Sequence, residues 1–288
     1  MKKLSDQFNL RKSLIHFLQE DLGVGDITTE NLKNANHSVS GKIIFKSNFI
    51  GIVGGLEEVQ ILFDICNCTS IPHMLDGMKI SPKTTIMEIH GTARDLLKAE
   101  RLALNLLMRM SGIATITRKF VDIVHQIDPS ISIASTRKTA PGLRLFDKKA
   151  VVIGGGISHR LRLDDMVMIK DNHIVVDKSI RKIIPLIRGK IGSSIKIECE
   201  VKNEVEAIDA IEAGANIIML DNFSIVEAKK TLIKIKDKGL RNLVKIEISG
   251  GINLKNIVNY AKLKPDIISI GYLTHSAPSL DFSLKIID

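Results

Sequence analysis

The chain has 288 residues and a formal net charge of +9, with 44% hydrophobic and 25% charged residues. This composition is typical of a globular protein of one or two domains. It excludes a membrane-spanning chain, because no apolar run approaches the roughly 20 residues that cross a bilayer.

The first residues of the chain and its three cysteines indicate the cellular compartment in which the protein is expected. Met1-Lys2-Lys3 is followed by Leu4-Ser5-Asp6-Gln7, which does not form the apolar segment of a signal peptide. Cys66, Cys68 and Cys199 form neither a metal-binding spacing nor a C-x-x-C pair, so we expect small buried thiols in a reducing compartment. We therefore expect a cytoplasmic protein.

The N-terminal part of the chain predicts a sheet with flanking helices. An apolar stripe predicts a helix over residues 5–20. Two strands over 41–45 and 49–53 are predicted to be joined by a polar turn. A short amphipathic helix over 55–65 and further strands, including 85–89, complete this part.

A long helical region follows. Leucines at helical spacing predict a helix over residues 93–109. Ser111-Gly112 is predicted to interrupt it, because serine and glycine are poor helix formers. A second helix is expected to run to about Gln126.

From Ile131 onward, strands and helices alternate at intervals of about 25–30 residues. This pattern predicts a parallel sheet with right-handed crossovers, and about six strands predict an incomplete α/β barrel. Each strand runs directly into charged residues or glycines, where barrel enzymes carry their reacting groups. These strand ends are Arg137-Lys138, Lys170 to His173, Glu200, Asp221-Asn222, Ser249 to Gly251, and Gly271.

Three helix starts in this half are predicted from capping residues. Asn203 precedes a helix over 204–213. Ser224 with Glu227 forms a capping box for the next helix. Asn253 is predicted to cap a third.

Positive charge is concentrated in residues 131–190, which hold thirteen lysines and arginines but five acids. This excess predicts an anionic ligand. Nucleic-acid surfaces usually add aromatic rings for stacking, and only 4% of the chain is aromatic, so a small polyanion is favoured. Part of the charge fits a solvated face instead, at Lys178, Arg181, Lys182, Arg188 and Lys190.

Two stretches in this region carry anion-binding residue types. Arg137 and Lys138 are consecutive at a strand end, and the glycine triplet 154–156 precedes His159-Arg160. Glycines leave backbone N–H groups open to an anion, and arginine binds carboxylates or phosphates with paired hydrogen bonds. We expect a substrate with more than one oxyanion.

Two carboxylates end neighbouring strands of the predicted barrel. Alone, Glu200 and Asp221 would each fit a surface or helix-capping acid. Together at a cationic mouth they suit Mg²⁺ held through water beside a pyrophosphate, or positive charge on a sugar carbon. Glu198 lies on the same side of the strand as Glu200. It is predicted either to pair with a lysine inside the barrel or to act directly.

The last two strand ends predict a phosphate site. Ser249-Gly250-Gly251 and the segment from Ser269 to Gly271 lie where barrels bind phosphate through backbone N–H groups. A sugar monophosphate is the expected ligand. His275 is expected either to contact this phosphate or to make an ordinary polar contact in its loop.

Nine stretches, spread in order along the chain, carry family motifs. They are Gly91 to Arg101, Leu104 to Leu106, Ser111 to Thr115, Thr136 to Arg144, Gly154 to Arg160, Ile169 to His173, Leu220 to Asn222, Ser249 to Ile252 and Leu273 to Ser276. With these motifs the chain resembles the quinolinate phosphoribosyltransferase family. It departs from many members at Ser158, where they carry Asn, and at Arg162, where they carry Gly.

The resemblance implies an N-terminal α/β sandwich domain over residues 1–112 and an incomplete α/β barrel over 113–274. It also implies a C-terminal segment, 275–288, that packs back towards the N-terminal domain. The family works as a homodimer, so a homodimer or a higher oligomer with shared active sites is implied. No nucleic acid or membrane partner is expected.

The resemblance further implies the reaction. The substrates are quinolinate and phosphoribosyl pyrophosphate, the cofactor is Mg²⁺, and decarboxylation gives nicotinate mononucleotide for NAD biosynthesis. Arg101 is implied to reach the quinolinate of the neighbouring subunit, which is also held by Arg137, His159 and Arg160. The implied catalytic residues are Lys138, Lys170, Glu200 and Asp221, of which the two acids bind Mg²⁺ through water. Further expected substrate contacts are Thr136, Ser249, Gly250, Gly251, Ser269, Gly271 and His275.

Three other functions stay open at this point. One is a relative with the same architecture that transfers phosphoribose to a different ring, such as the molybdenum-transport-associated type. Another is a non-catalytic protein that binds a polyanion or RNA. The third is a barrel enzyme that acts on a sugar phosphate without pyrophosphate chemistry.

Overall fold

The computed structural model describes residues 2–177 and 179–287, and of residues 2–9 only the backbone. It divides into two compact units. The first comprises the residues up to Ile116 together with those from Ala277, and the second comprises Thr117–Ser276. Within the described residues, no helix combines the length and the apolar character that a membrane span requires.

The first unit combines antiparallel strands with helices. Its elements are α1 (Lys2–Leu22), α2 (Ile27–Glu30), β1 (Ser38–Phe45), β2 (Gly51–Ile52), α3 (Leu56–Ile65), β3 (Thr69–Pro72), β4 (Lys79–Ile80), β5 (Thr85–Thr92) and the start of α4 (Ala93–His125).

The second unit follows with alternating strands and helices. Its elements are the end of α4, β6 (Ser132–Ala134), α5 (Arg144–Ile153), β7 (Val167–Ile169), α6 (Asp171–Asp177), α7 (Ile180–Ile191), β8 (Ile197–Val201), α8 (Glu204–Glu212), β9 (Ile217–Asp221), α9 (Ile225–Asp237), a 3₁₀ turn (Arg241–Leu243), β10 (Lys245–Ser249), α10 (Ile257–Ala261), β11 (Ile267–Ser269) and α11 (Tyr272–His275). The last strand, β12 (Phe282–Ile287), belongs to the first unit.

The larger sheet of the first unit has the strand order β12-β1-β5-β3, with antiparallel neighbours. Alternating side chains of β1 face a buried apolar cluster, in which the Phe45 ring lies 5.2 Å from that of Phe282. The strand predicted over residues 41–45 lies within β1, but the strand predicted over 49–53 is too long, because β2 comprises only Gly51–Ile52. β2 pairs with β4 in a separate two-stranded sheet, because the chain between β1 and β2 leaves the first sheet.

The predicted break at Ser111-Gly112 is also wrong, since α4 runs unbroken from Ala93 to His125. Ser111 Oγ accepts a hydrogen bond from the Gly54 N–H at 3.0 Å and lies 3.2 Å from the Gly54 carbonyl. A side chain at Gly112 would collide with the Pro278 carbonyl. The two small residues therefore serve close packing, which outweighs the roughly 1 kcal/mol by which glycine disfavours a helix.

The second unit contains a six-stranded, fully parallel sheet in the order β6-β11-β10-β9-β8-β7. Its central strands are almost entirely buried, as expected when helices cover a parallel sheet. The predicted fold class, an incomplete parallel barrel with an N-terminal α/β domain, is confirmed.

Two of the three capping predictions are confirmed. Asn203 Oδ1 accepts from the Glu206 N–H before α8, and Ser224 forms the capping box with Glu227 at the start of α9. The prediction for Asn253 is wrong, because its side chain binds the Lys255 N–H in a preceding turn and α10 begins only at Ile257.

Candidate active site

A cavity of about 490 Å³ lies at the carboxyl ends of the parallel strands. It is lined by Ser135, Thr136, Arg137, Lys138, His159, Arg160, Met168, Lys170, Glu200, Met219, Asp221, Asn222, Glu247, Ser249, Gly250, Gly251 and Ser269. Every substrate-binding residue predicted from the sequence is among them except Arg101, Gly271 and His275. The predicted convergence is therefore observed, and the roles of these residues toward a ligand stay predictions.

The strand register explains why distant stretches meet here. Ser249 at the end of β10 pairs with Asp221 of β9 on one side and with Ser269 of β11 on the other. One layer deeper, Met219 of β9 pairs with both Glu200 and Glu247. Because all six strands are parallel, residues that end each strand share one rim.

Arginines form a basic part of the cavity wall. The Nε atoms of Arg137 and Arg160 are buried, and neither has a hydrogen-bond partner among the described residues. Among the described residues, Arg160 donates to neutral groups, the Met166 carbonyl at 3.4 Å and Met168 Sδ at 3.1 Å. Burial and the nearby Arg137 lower the pKa of Arg160. A buried cation with such weak neutral acceptors is suited to bind an anion.

An acidic part of the wall is formed at the ends of β8 and β9. The Glu200 carboxylate lies 2.5 Å from Lys170 Nζ in an ion pair. Asp221 Oδ2 accepts a hydrogen bond from Asn222 Nδ2 at 2.6 Å. Each acid thus has one oxygen engaged and still lines the cavity, so oxygen ligands for a hard cation are present.

The floor carries a histidine between two glutamates. His159 Nε2 lies 3.0 Å from Glu247 Oε2 and 3.3 Å from Glu198 Oε2, and both glutamates are fully buried. Glu247 also accepts a short hydrogen bond from Ser269. Burial by itself would lower the pKa of His159, but the two adjacent glutamate carboxylates outweigh it and raise the pKa to about 10.

His159 is thereby held as an imidazolium between the two glutamates. The predicted pairing of Glu198 with a lysine is wrong, since its partner is His159. The ring of a histidine can sit at the same depth as the buried acid, and its proton supplies the positive charge that the lysine was expected to bring.

The glycine loop after β10 has the geometry of an anion cradle. Gly250 has φ +97° and Gly251 has φ +61°, both in the left-handed region. A Cβ at Gly250 would lie 2.7 Å from the backbone nitrogen of Asn222. The glycine at this position therefore permits a close approach of two loops.

Gly271 and His275 lie beside this wall rather than in it. A Cβ at Gly271 would lie 3.3 Å from Lys138 Cδ and 3.2 Å from the His275 ring. His275 Nδ1 contacts the Ser276 hydroxyl at 2.5 Å, which is the polar contact within its own loop that the sequence allowed. Arg101 lies elsewhere, exposed on α4 in the first unit.

The glycine triplet, which was expected to contact a ligand, is not among the residues that line the cavity, and it has a structural role. A Cβ at Gly156 would lie 2.8 Å from Val151 and 2.9 Å from the Ile133 carbonyl. Ile157 then bridges in parallel to Ala134 of β6. The triplet thus lets the chain pass close to the edge of the sheet, and this fixes where the segment that carries His159 and Arg160 begins.

The expected solvated face lies largely on α7. Arg181 is exposed and pairs with Asp209 and Glu212, each at 2.8 Å. Arg188 Nη1 donates to the carbonyls of Gly192 and Ile195, so it ties down the loop before β8. Lys182 and Lys190 are exposed, and Lys178 lies outside the described residues.

Several lining residues were missed in the sequence. Glu247 is the chief one, and its signal was a single acid inside the apolar run of β10, two residues before Ser249. Ser135 and Asn222 directly adjoin predicted residues. Met168 and Met219 look like ordinary core residues in the sequence.

Family models match both halves of the chain. Residues 26–111 match the family description "Quinolinate phosphoribosyl transferase, N-terminal domain", and residues 113–285 match "Quinolinate phosphoribosyl transferase, C-terminal domain". The chain belongs to the quinolinate phosphoribosyl transferase family.

Individual relatives extend over most of the chain. A probable nicotinate-nucleotide pyrophosphorylase [carboxylating] of Archaeoglobus fulgidus is 42% identical over 91% of this chain and 98% of its own length. Its counterpart in Bacillus subtilis is 39% identical over 98% of this chain and 94% of its own length. The crystal structure of NadC from Streptococcus pyogenes superposes with a TM-score of 0.88 at 35% identity, covering 98% of each chain.

Proposed function

We propose that this protein transfers the phosphoribosyl group of phosphoribosyl pyrophosphate to the ring nitrogen of quinolinate. Loss of CO₂ then gives nicotinate mononucleotide and pyrophosphate, a step of NAD biosynthesis. A carboxylating pyrophosphorylase, the name of the relatives, describes the same equilibrium in the opposite direction. The observation that carries the proposal is that basic residues, the carboxylates of Glu200 and Asp221, and the glycine cradle line one shared cavity.

Quinolinate carries two adjacent carboxylates, which require two or more cations in a fixed arrangement. Arg137, Arg160 and the imidazolium of His159 line the cavity and fit this requirement. The buried arginine Nε atoms lack protein partners among the described residues, so they favour an anion in their place. The sugar 5-phosphate is proposed to bind at Ser249, Gly250 and Gly251, through the N–H groups of the glycine cradle.

The reaction needs little covalent help from the protein. The lone pair of the pyridine nitrogen forms the bond to C1 of the ribose, and the C1–O bond breaks with its electrons going to pyrophosphate. Glu200 and Asp221 would stabilise positive charge on the sugar, while Lys138 would offset negative charge on the leaving group. Positioning and electrostatics would supply most of the rate.

Decarboxylation follows from the charge created by this transfer. The pyridinium nitrogen withdraws electrons from the neighbouring ring carbon, so the bond to the 2-carboxylate breaks and CO₂ leaves. The electron pair stays on that carbon and takes a proton from solvent. Lys170, held by Glu200 at the cavity wall, is proposed to lie near this reacting centre.

Mg²⁺ is the proposed cofactor. Glu200 and Asp221 offer carboxylate oxygens at neighbouring strand ends, and such donors, together with water and a pyrophosphate, suit this hard cation. When bound, Mg²⁺ would neutralise charge on the departing pyrophosphate. Removing it with a chelator is expected to abolish turnover, and adding it back is expected to restore it.

The direct test incubates the protein with quinolinate, phosphoribosyl pyrophosphate and Mg²⁺ and measures nicotinate mononucleotide and CO₂. Equal amounts of both products are expected. A panel of other ring acids separates the nearest alternative, a transferase for a different ring. Steeply salt-dependent RNA binding without turnover would contradict the proposal and favour a polyanion-binding protein.

A homodimer with shared sites is also proposed, with Arg101 of one subunit reaching the quinolinate of the other. The exposed position of Arg101 on α4 is compatible with such a contact. Mixing an Arg101→Ala variant with an Asp221→Ala variant, each inactive, is expected to restore part of the activity. No recovery in mixed dimers would remove this role. Cell fractionation would test the predicted cytoplasmic location.

A further inference from the structure

A buried ammonium group lies directly behind the cavity and has no part in the reaction proposed above. Lys148 is on α5 and only 2% exposed. Its Nζ donates a short hydrogen bond to the Ser158 carbonyl and a second one, at 3.2 Å, to Ser135 Oγ. Ser135 Oγ in turn donates to the same Ser158 carbonyl at 3.0 Å. The three groups form a closed triangle.

The charged groups that face Lys148 are mostly cations. They are Arg144 from its own helix, Arg137 from the segment after β6, and Arg160 and Asp165 from the segment that follows Ser158. Burial, and then these arginines, lower the pKa of Lys148 to about 8. A chain gains no folding stability by gathering buried like charges, so this arrangement calls for an anion that balances them.

The two residues that accept hydrogen bonds from Lys148 belong to the cavity wall or directly adjoin it. Ser135 lines the cavity, and Ser158 directly precedes His159. His159 has φ +52°, a left-handed conformation that residues with side chains seldom adopt. Two hydrogen bonds to the Ser158 carbonyl hold the peptide that enters this turn. They thereby help to set the direction in which His159 and Arg160 point.

We propose that Lys148 is a positioning residue for the aromatic dicarboxylate: it fixes the peptide before His159 and adds positive charge behind Arg137 and Arg160. This inference rests on the proposed function. The residues that Lys148 supports belong to the basic wall, whereas the glycine cradle for the sugar phosphate follows a different strand. Its loss should therefore affect the ring acid and spare the sugar diphosphate.

The same geometry has a consequence for pH. A dianion bound beside Lys148 favours its charged form, so binding is strongest when the ammonium is protonated. As the pH rises from about 7 to about 9, Lys148 of the free enzyme loses its proton and the KM for quinolinate should rise.

The first experiment compares Lys148→Met with Lys182→Met, which removes the same charge from an exposed position on α7. For Lys148→Met the KM for quinolinate is expected to rise about tenfold, while the KM for phosphoribosyl pyrophosphate changes less than about twofold. Lys182→Met should match the wild type. An unchanged KM for quinolinate in Lys148→Met, or an equal rise for both substrates, would overturn the inference.

The second experiment measures the KM for quinolinate at about pH 7, 8 and 9 in the wild type and in Lys148→Met. The rise with pH is expected in the wild type and absent in the variant, which a merely structural lysine would not produce. If Lys148→Met does not fold, Ser135→Ala decides, with an expected rise of about threefold in that KM alone. A wild type without turnover would contradict the proposed function itself, whereas turnover with pH-independent KM would overturn only the role of Lys148.

Discussion

The two units bury different kinds of side chain. In the first unit the described buried residues are nearly all apolar, with Glu58 as the buried charge. The second unit buries Lys148, Arg160, Glu198 and Glu247 around the carboxyl ends of its strands. Buried charge costs folding free energy unless it is paired, so its concentration in one unit marks where the protein retains charge for binding.

The first way to sharpen this comparison is a cavity in the apolar unit. Phe45→Ala removes a fully buried ring, and such a change should lower the free energy of unfolding by about 3–5 kcal/mol. Urea denaturation measures this loss, and steady-state kinetics on the folded fraction should show unchanged KM values. Phe49→Ala is the control, because that ring is 53% exposed and its loss should cost far less.

A change in the charged unit should affect stability and function together. Glu247→Gln leaves His159 with one charged partner, and breaking a buried ion pair should cost about 3 kcal/mol of unfolding free energy and lower kcat/KM. The control is Glu212→Gln, whose exposed ion pair with Arg181 should contribute about 0.5 kcal/mol. Equal losses in the two variants would contradict the distinction between the buried ion pair of His159 and the exposed ion pair of Arg181.

Two glycines with nearly the same φ angle allow backbone strain to be distinguished from a role in the site. Gly250 has φ +97° and Gly214 has φ +96°, but only Gly250 has another loop against it, since a Cβ at Gly214 meets open space. Gly214→Ala should cost about 1 kcal/mol of stability and leave kinetics unchanged. Gly250→Ala should also lower kcat/KM for phosphoribosyl pyrophosphate by about tenfold or more. Similar kinetics in both variants would argue against the cradle.

The last prediction concerns the pH dependence of stability. The pKa of His159 is raised to about 10, above the roughly 6.5 of an unfolded histidine. Its stabilisation is therefore full below about pH 6.5 and is lost as the pH rises towards 10. Unfolding free energies of the wild type and His159→Gln, measured across this range, should converge as the pH rises. Parallel curves would show that His159 is not held protonated.

The arrangement of the second unit could be predicted because its signals are local. A polar residue directly after an apolar strand, as at Glu200, Asp221 and Ser249, is visible in the sequence. In a parallel sheet such residues must share a rim. The capping box at Ser224 could be predicted for the same reason, since its hydrogen bonds stay within one turn.

The features that sequence reasoning missed depend on contacts between distant residues. Gly112 was predicted to break the helix, but glycine is needed there because the Pro278 carbonyl, far along the chain, leaves no room for a side chain. Glu247 resembles a stray acid until His159 and Ser269 are seen against it. Lys148 resembles one more surface lysine in a basic stretch, because nothing local reveals that its helix turns it inward.

The six-stranded sheet does not close on itself, so β6 and β7 remain as its two outer strands. Each is only three residues long, and β6 also bridges to Ile157. An exposed edge strand can pair with a strand of another molecule, and the risk of aggregation is greater for a longer edge strand. Because both edge strands are short, they offer few backbone groups to a strand of another molecule, and this limits aggregation when the protein is abundant.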